Sequence, residues 1–305
     1  MPAPAPTASA TSSPSGESRA EAAERVLFLA TDLRTDGLRK VCPETLPDAA
    51  RVRCLVALRY EDEPPSRALA LTLLDETGSL AGLLPDETND DGRGGKVHLA
   101  PARPVGDNRE QLAWLIHAFR DYAEVLAGLA QKAPLDFRDR PVDLRFFVSR
   151  DARAPSAFAV KNNVGYNLYG LLNVSEDAVR EIVFHELFHL NDDRHARWSS
   201  RAIAPIYDRI IARCGRRGAC LAPYAPTDTK SDGVYYAFAQ PGGAREYAAE
   251  VGVRYYREQR LMLQKKPLAT RAFKCGPPEN LAAWTLVSTE LFGGADLVPD
   301  CAPGG

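Results

Sequence analysis

Residues 177–193 read DAVREIVFHELFHLNDD and carry His185, Glu186 and His189 in the pattern HExxH. Side chains four apart stand on one face of an α-helix, one turn from each other, so His185 and His189 can converge on a single metal ion. Glu186, beside the first histidine, then faces the coordination position left open for chemistry and has the place of a general base. Three fixed letters in five make a short pattern, whose weight comes from its surroundings. Ser175 is a preferred N-cap, Glu176 and Asp177 put negative charge in the first turn, and Val174 can staple onto Val179. Ile182, Val183, Leu187 and Leu190 supply apolar packing, which predicts a buried helix behind Ser175.

A catalytic zinc site needs a third protein ligand and leaves the fourth position open. Two residues compete for it. His195 completes the run His185-Glu186-x-x-His189-x-x-Asp192-x-x-His195, the spacing of metzincin peptidases, with Asp192 where a chain-reversing glycine usually stands. A Met-turn is lacking, since the only methionines are Met1 and Met262. The other candidate is Glu246, in GGAREYAAEVGVRYYREQR (242–260): a Gly242-Gly243 break is followed by Tyr247, Val251 and Tyr255 at helical spacing, with Glu246 and Glu250 on one face. Glu250 itself and an Asp of the 191–193 run are the remaining options.

HELFHLNDD followed downstream by EYAAE resembles the gluzincin peptidases related to anthrax lethal factor, whose pattern is HExxHxxDD with a later ExxAE. The resemblance covers these motifs and roughly residues 140–262. It implies an α+β, zincin-like catalytic domain over 106–305 and one zinc ion held by His185, His189 and Glu246. It also implies that Glu250 holds a histidine ligand through its other ring nitrogen, and that Asp192 belongs to the pattern. A tyrosine shortly before the glutamate ligand stabilises the oxyanion in that family. Tyr236, in KSDGVYYAF (230–238), is the choice here, with Tyr235 in reserve. The implied function is zinc-dependent endopeptidase activity on a protein or peptide substrate, with Glu186 as base. The alternatives are a metzincin-type peptidase using His195 and a non-catalytic zinc-binding or recognition protein.

Elsewhere the chain reads as follows. Residues 1–20 are rich in Pro, Ala, Ser and Thr and predict a disordered tail. Arg51–Tyr60 and Arg67–Asp75 read as two strands turned at Pro64-Pro65, and SLAGLL and KVHLAP as two more, so 21–105 is expected to be a mainly-β region. An apolar stripe from Leu112 to Leu129 predicts a long amphipathic helix over 108–132, VDLRFFVS (142–149) a buried strand, and 157–174 an edge strand with a bend. In that position an edge strand can pair with extended substrate backbone.

The six cysteines fall into local pairs, 42–54, 214–220 and 275–301, and none has CxxC spacing. Disulfides are the favoured reading, and with the tail, of a kind often found behind a removed export signal, they point to a secreted or cell-envelope protein, with the cytoplasm as alternative. An arginine-rich, lysine-poor composition fits a GC-rich bacterial genome. A net charge of −2 gives no case for nucleic acid, and no apolar run approaches the roughly 20 residues that span a bilayer.

Overall fold

The strand expected at VDLRFFVS forms as β4 (Asp143–Val148) in a computed structural model that describes residues 17–32, 37–90, 95–231, 233–239 and 243–302. Leu144 and Phe146 turn one way and Phe147 the other, all fully buried, as a strand covered on both faces requires. Around it a six-stranded sheet is built. On one side β1 (Ala81–Leu83) pairs parallel with Leu144–Phe146, and β3 (Lys96–Pro101) pairs antiparallel with Phe147 and Val148; β2 (Glu87–Asp90) lies outside β3. On the other side β6 (Asn163–Asn167) pairs parallel with β4, and β5 (Ala157–Val160) closes the sheet antiparallel to β6. The bent edge expected at 157–174 is thus a two-stranded turn-back whose outer strand is β5.

The mainly-β reading of 21–105 is corrected. Four helices precede the sheet: α1 (Arg19–Leu27), α2 (Gly37–Val41), α3 (Asp48–Arg59) and α4 (Pro64–Thr77). The expected strand at Arg51–Tyr60 is most of α3, where Val52, Leu55 and Val56 are buried at helical spacing, with buried Tyr60 just past its end. Val52, Cys54, Val56 and Leu58 also alternate, which is why a period of two fitted the same letters. Pro64-Pro65 does not turn a hairpin but opens α4: in the first helical turn a missing N–H costs nothing, because those donors have no partner within the helix. Of the four expected strands, SLAGLL and KVHLAP supply β1 and β3. Both pair with β4, so 21–105 and the later chain share one sheet. Of the expected tail, residues 1–16 lie outside the described residues, while Ser18 caps α1 and Arg19 and Ala20 belong to it.

The helical layer carries the HExxH and EYAAE segments. The amphipathic stripe forms α5 (Arg109–Ala130), with Leu112, Leu115, Ile116, Phe119, Tyr122, Val125 and Leu129 buried. The HExxH segment forms α6 (Glu176–Arg194), capped as expected by Ser175, whose Oγ accepts the N–H of Ala178 at 3.2 Å. The staple from Val174 is not made, since that side chain is 72% exposed. Short helices α7 (Ser199–Ala202), α8 (Ala204–Cys214) and α9 (Gly218–Leu221), and a small ladder of β7 (Lys230–Ser231) with β8 (Val234–Tyr235), lead to α10 (Gly243–Leu263) and α11 (Pro278–Phe292). Helix α6 packs between α5 and α10 and against β5. The architecture is mixed α+β. Disulfides join Cys42 to Cys54, Cys214 to Cys220 and Cys275 to Cys301, the pairing with the smallest loops, which suggests an oxidising environment. Among the described residues no helix is long and apolar enough to cross a membrane.

Candidate metal centre

On α6 the four-residue spacing brings the two imidazoles together: Nε2 of His185 lies 3.1 Å from Nε2 of His189. The carboxylate of Glu246, in the first turn of α10, stands 3.2 Å from the first and 3.4 Å from the second. Ligand atoms of all three residues fall within 4.8 Å of one another. The far side of His185 is also held, since its Nδ1 is 2.9 Å from Oε1 of Glu250, one helical turn after Glu246. A carboxylate can only accept, so this contact puts a proton on Nδ1 and turns the Nε2 lone pair towards Glu246 and His189. Oε2 of Glu250 accepts the Thr227 hydroxyl, so both its oxygens are used.

Nε2 of His185 and the Glu246 carboxylate are then both acceptors, with Nε2 of His189 beside them, and they repel unless something positive lies between them. Without a metal, a proton has that role. Burial by itself would lower the pKa of His185, but the hydrogen bonds and charges of Glu246 and Glu250 outweigh it and raise that pKa well above the usual histidine value. Burial would raise Glu246, yet its hydrogen bonds to His185 and His189 hold it far below the ordinary carboxylate range. Two imidazole nitrogens and one carboxylate oxygen, already gathered, fit a divalent cation: His185, His189 and Glu246 could hold a metal ion.

Glu186 is buried beside this cluster. Burial pushes its carboxyl above the usual range, with the charges of His185 and His189 pulling the other way and a backbone hydrogen bond from Ala159 of β5 adding to that pull. The last contact brings the outer strand of the sheet to the site. Tyr236 arrives from a short 3₁₀ turn (Tyr236–Phe238) after β8, its ring centre 5.8 Å from that of His185. Burial raises its phenol, and the charges of Glu246, Glu186 and Glu250 raise it further, so the hydroxyl stays protonated and able to donate. Tyr235 instead packs its ring beneath the Lys230 ammonium.

His195 is taken up elsewhere. It follows α6, with Nδ1 2.7 Å from Glu290 and Nε2 3.4 Å from Asp136. Asp192 faces Ser199 and Arg245. Thr227, Ala159 and Arg245 are not legible as site residues in the sequence: Arg245 stands beside Glu246 and Ala159 in the expected edge strand, but the letters give neither a role, and Thr227 lies in a segment without a motif.

The approach of α10 to α6 depends on Gly252. A Cβ there would lie 2.3 Å from Cδ2 of Phe188, inside HExxH, so helix and motif touch at a backbone with no side chain. Gly252→Ala is expected to destabilise the fold by about 1–3 kcal/mol through overpacking, despite the better helix propensity of alanine. Urea unfolding checks this, with an unchanged midpoint as the contrary result.

No family model, curated protein or solved structure matches this chain.

Proposed function

We propose that the protein is an exported zinc-dependent endopeptidase of the gluzincin kind, with a zincin-like arrangement of sheet edge, HExxH helix and glutamate-bearing helix. One observation carries this reading: the convergence of His185, His189 and Glu246 around one point, with the buried carboxyl of Glu186 beside it. Two histidines and a carboxylate are a hydrolytic zinc set. When bound, zinc supplies Lewis acidity, making a water more acidic and a carbonyl more electrophilic.

The protein's own groups account for the remaining steps. β5 lies last in the sheet order and packs against α6, which carries Glu186, so an extended peptide added along that edge runs past the base. Glu186 takes the proton of the attacking water and passes it to the leaving amine as the C–N bond breaks. The Tyr236 hydroxyl donates to the oxyanion of the tetrahedral intermediate, a contribution of around 3 kcal/mol for one such donor. Glu250 keeps His185 in the tautomer that presents Nε2.

The test is cleavage of an unfolded protein such as reduced casein by the purified chain. Activity should disappear with a chelator and return with zinc; cleavage indifferent to chelation would end the proposal. Proton linkage gives an independent readout. Because the metal-free pKa of His185 is raised, that ring holds its extra proton at neutral pH, and zinc must displace it. Zinc affinity is therefore expected to rise with pH until the ring is deprotonated in the metal-free state. Calorimetry at neutral pH in buffers of different ionisation enthalpy should register proton release, and binding without it would contradict the assignment of His185.

A further inference from the structure

We infer that Arg245 and Asp192 position the third ligand, Glu246, so that the metal is bound only when α10 is docked on α6 at this point; the inference rests on the metal reading above. Glu246 lies in the first turn of its helix, where backbone N–H groups have no helical partner and ends fray. A ligand there needs external support, and two contacts give it. Gly243 lets the turn lie against Tyr207, whose hydroxyl oxygen would be 2.0 Å from a Cβ at that position. The second contact is ionic: Nε of Arg245 is 3.2 Å from Oδ2 of Asp192, and its guanidinium donates to Oδ1 of Asp193 at 3.0 Å.

Asp192 is itself immobile. It is 1% exposed, and it accepts from the backbone N–H of Ser199 at 2.7 Å and from the Ser199 hydroxyl at 2.7 Å. A carboxylate so buried is expensive without a positive partner, which favours the arrangement in which Arg245 stays on it. The link thus joins the residue next to Glu246 to the α6 turn that follows His189. A displacement of the α10 terminus would draw the Glu246 carboxylate away from the two histidines, which stay in place on α6.

The same two helices are tied a second time, by Arg257, which donates to the Glu181 carboxylate at 2.8 and 2.6 Å. That pair lies ~18 Å further along α10. It is a built-in control: it joins the same two helices through an arginine and a carboxylate, but far from Glu246 along α10.

The experiment measures zinc affinity of the full chain by competition with a chelating indicator, alongside thermal unfolding, for wild type, Arg245→Ala, Arg245→Lys, Asp192→Asn and Arg257→Ala. Arg245→Ala and Asp192→Asn are expected to weaken zinc binding by about 10- to 100-fold, the range for groups that orient a ligand. Arg245→Lys should recover part of that loss, because a point charge replaces a fork. Arg257→Ala should lower the unfolding temperature and leave the affinity unchanged. The visible spectrum of the cobalt-substituted protein should change in Arg245→Ala and match wild type in Arg257→Ala. Arg245→Lys keeps a positive charge beside the buried Asp192, so it retains a folded chain even where Arg245→Ala or Asp192→Asn does not. Wild-type affinity in Arg245→Ala, or an equal loss in Arg257→Ala, would overturn the inference alone. A wild-type chain that takes up no zinc would overturn the metal reading and this inference with it.

Discussion

Glu186→Gln is expected to lower peptide cleavage by about 10²–10⁴-fold while zinc content stays at the wild-type level. The substitution keeps the size and shape of the side chain, exchanges one acceptor oxygen for an amide donor, and removes its ability to accept a proton. Glu186 is buried against β5 and next to His185, but the ligand cluster does not include it, so metal binding has no reason to fail. Burial weighs against the charged form here, which makes the carboxylate a stronger base than an exposed one. Measurement of kcat and KM together gives the sharper reading, because removal of a group that acts on the proton should reduce kcat and leave KM nearly unchanged. A variant that cleaves at the wild-type rate would remove Glu186 from the mechanism.

The second large effect concerns the support behind the motif. Phe184, immediately before His185, is 1% exposed and stacks on Tyr256 of α10 with ring centres 4.4 Å apart and on Phe137 at 5.0 Å, while Tyr122 of α5 meets it edge-on at 5.5 Å. Phe137 in turn stacks on Phe292 at the end of α11. One ring thus anchors the HExxH helix to the two long helices beside it. Phe184→Ala is expected to cost about 3–5 kcal/mol, from lost burial and the cavity left among rigid rings. Denaturant unfolding without and with zinc should show the same loss in both series, since metal binding to the native state adds a separate increment. A loss below about 1 kcal/mol would mean that the aromatic cluster is not packed as described.

Legibility of the site in the sequence followed the length scale of its contacts. His185, Glu186 and His189 are set by one helix and one motif, and the pairing of Glu246 with Glu250 needed only the helical period and a resemblance. Tyr236 follows from the resemblance, as one of two tyrosines before Glu246, and the structure brings its ring to His185. Thr227, Arg245 and the N–H of Ala159 act across tertiary contacts, and no local pattern distinguishes them. In the sequence Asp192 marks one peptidase pattern over another; its physical contacts are with Ser199 and Arg245, on the path to Glu246. The error at Arg51–Asp75 has another origin. Short, leucine- and valine-rich helices satisfy periods of two and of three to four at once, and a proline pair marks a helix start as readily as a turn. Tertiary burial decided between them.

The most direct measurement is the zinc content of the purified protein, wild type against Glu246→Ala and His195→Ala. One zinc per chain is predicted for wild type and for His195→Ala, whose imidazole is held by Glu290 and Asp136, with zinc lost in Glu246→Ala. Zinc lost in His195→Ala and kept in Glu246→Ala would contradict the account.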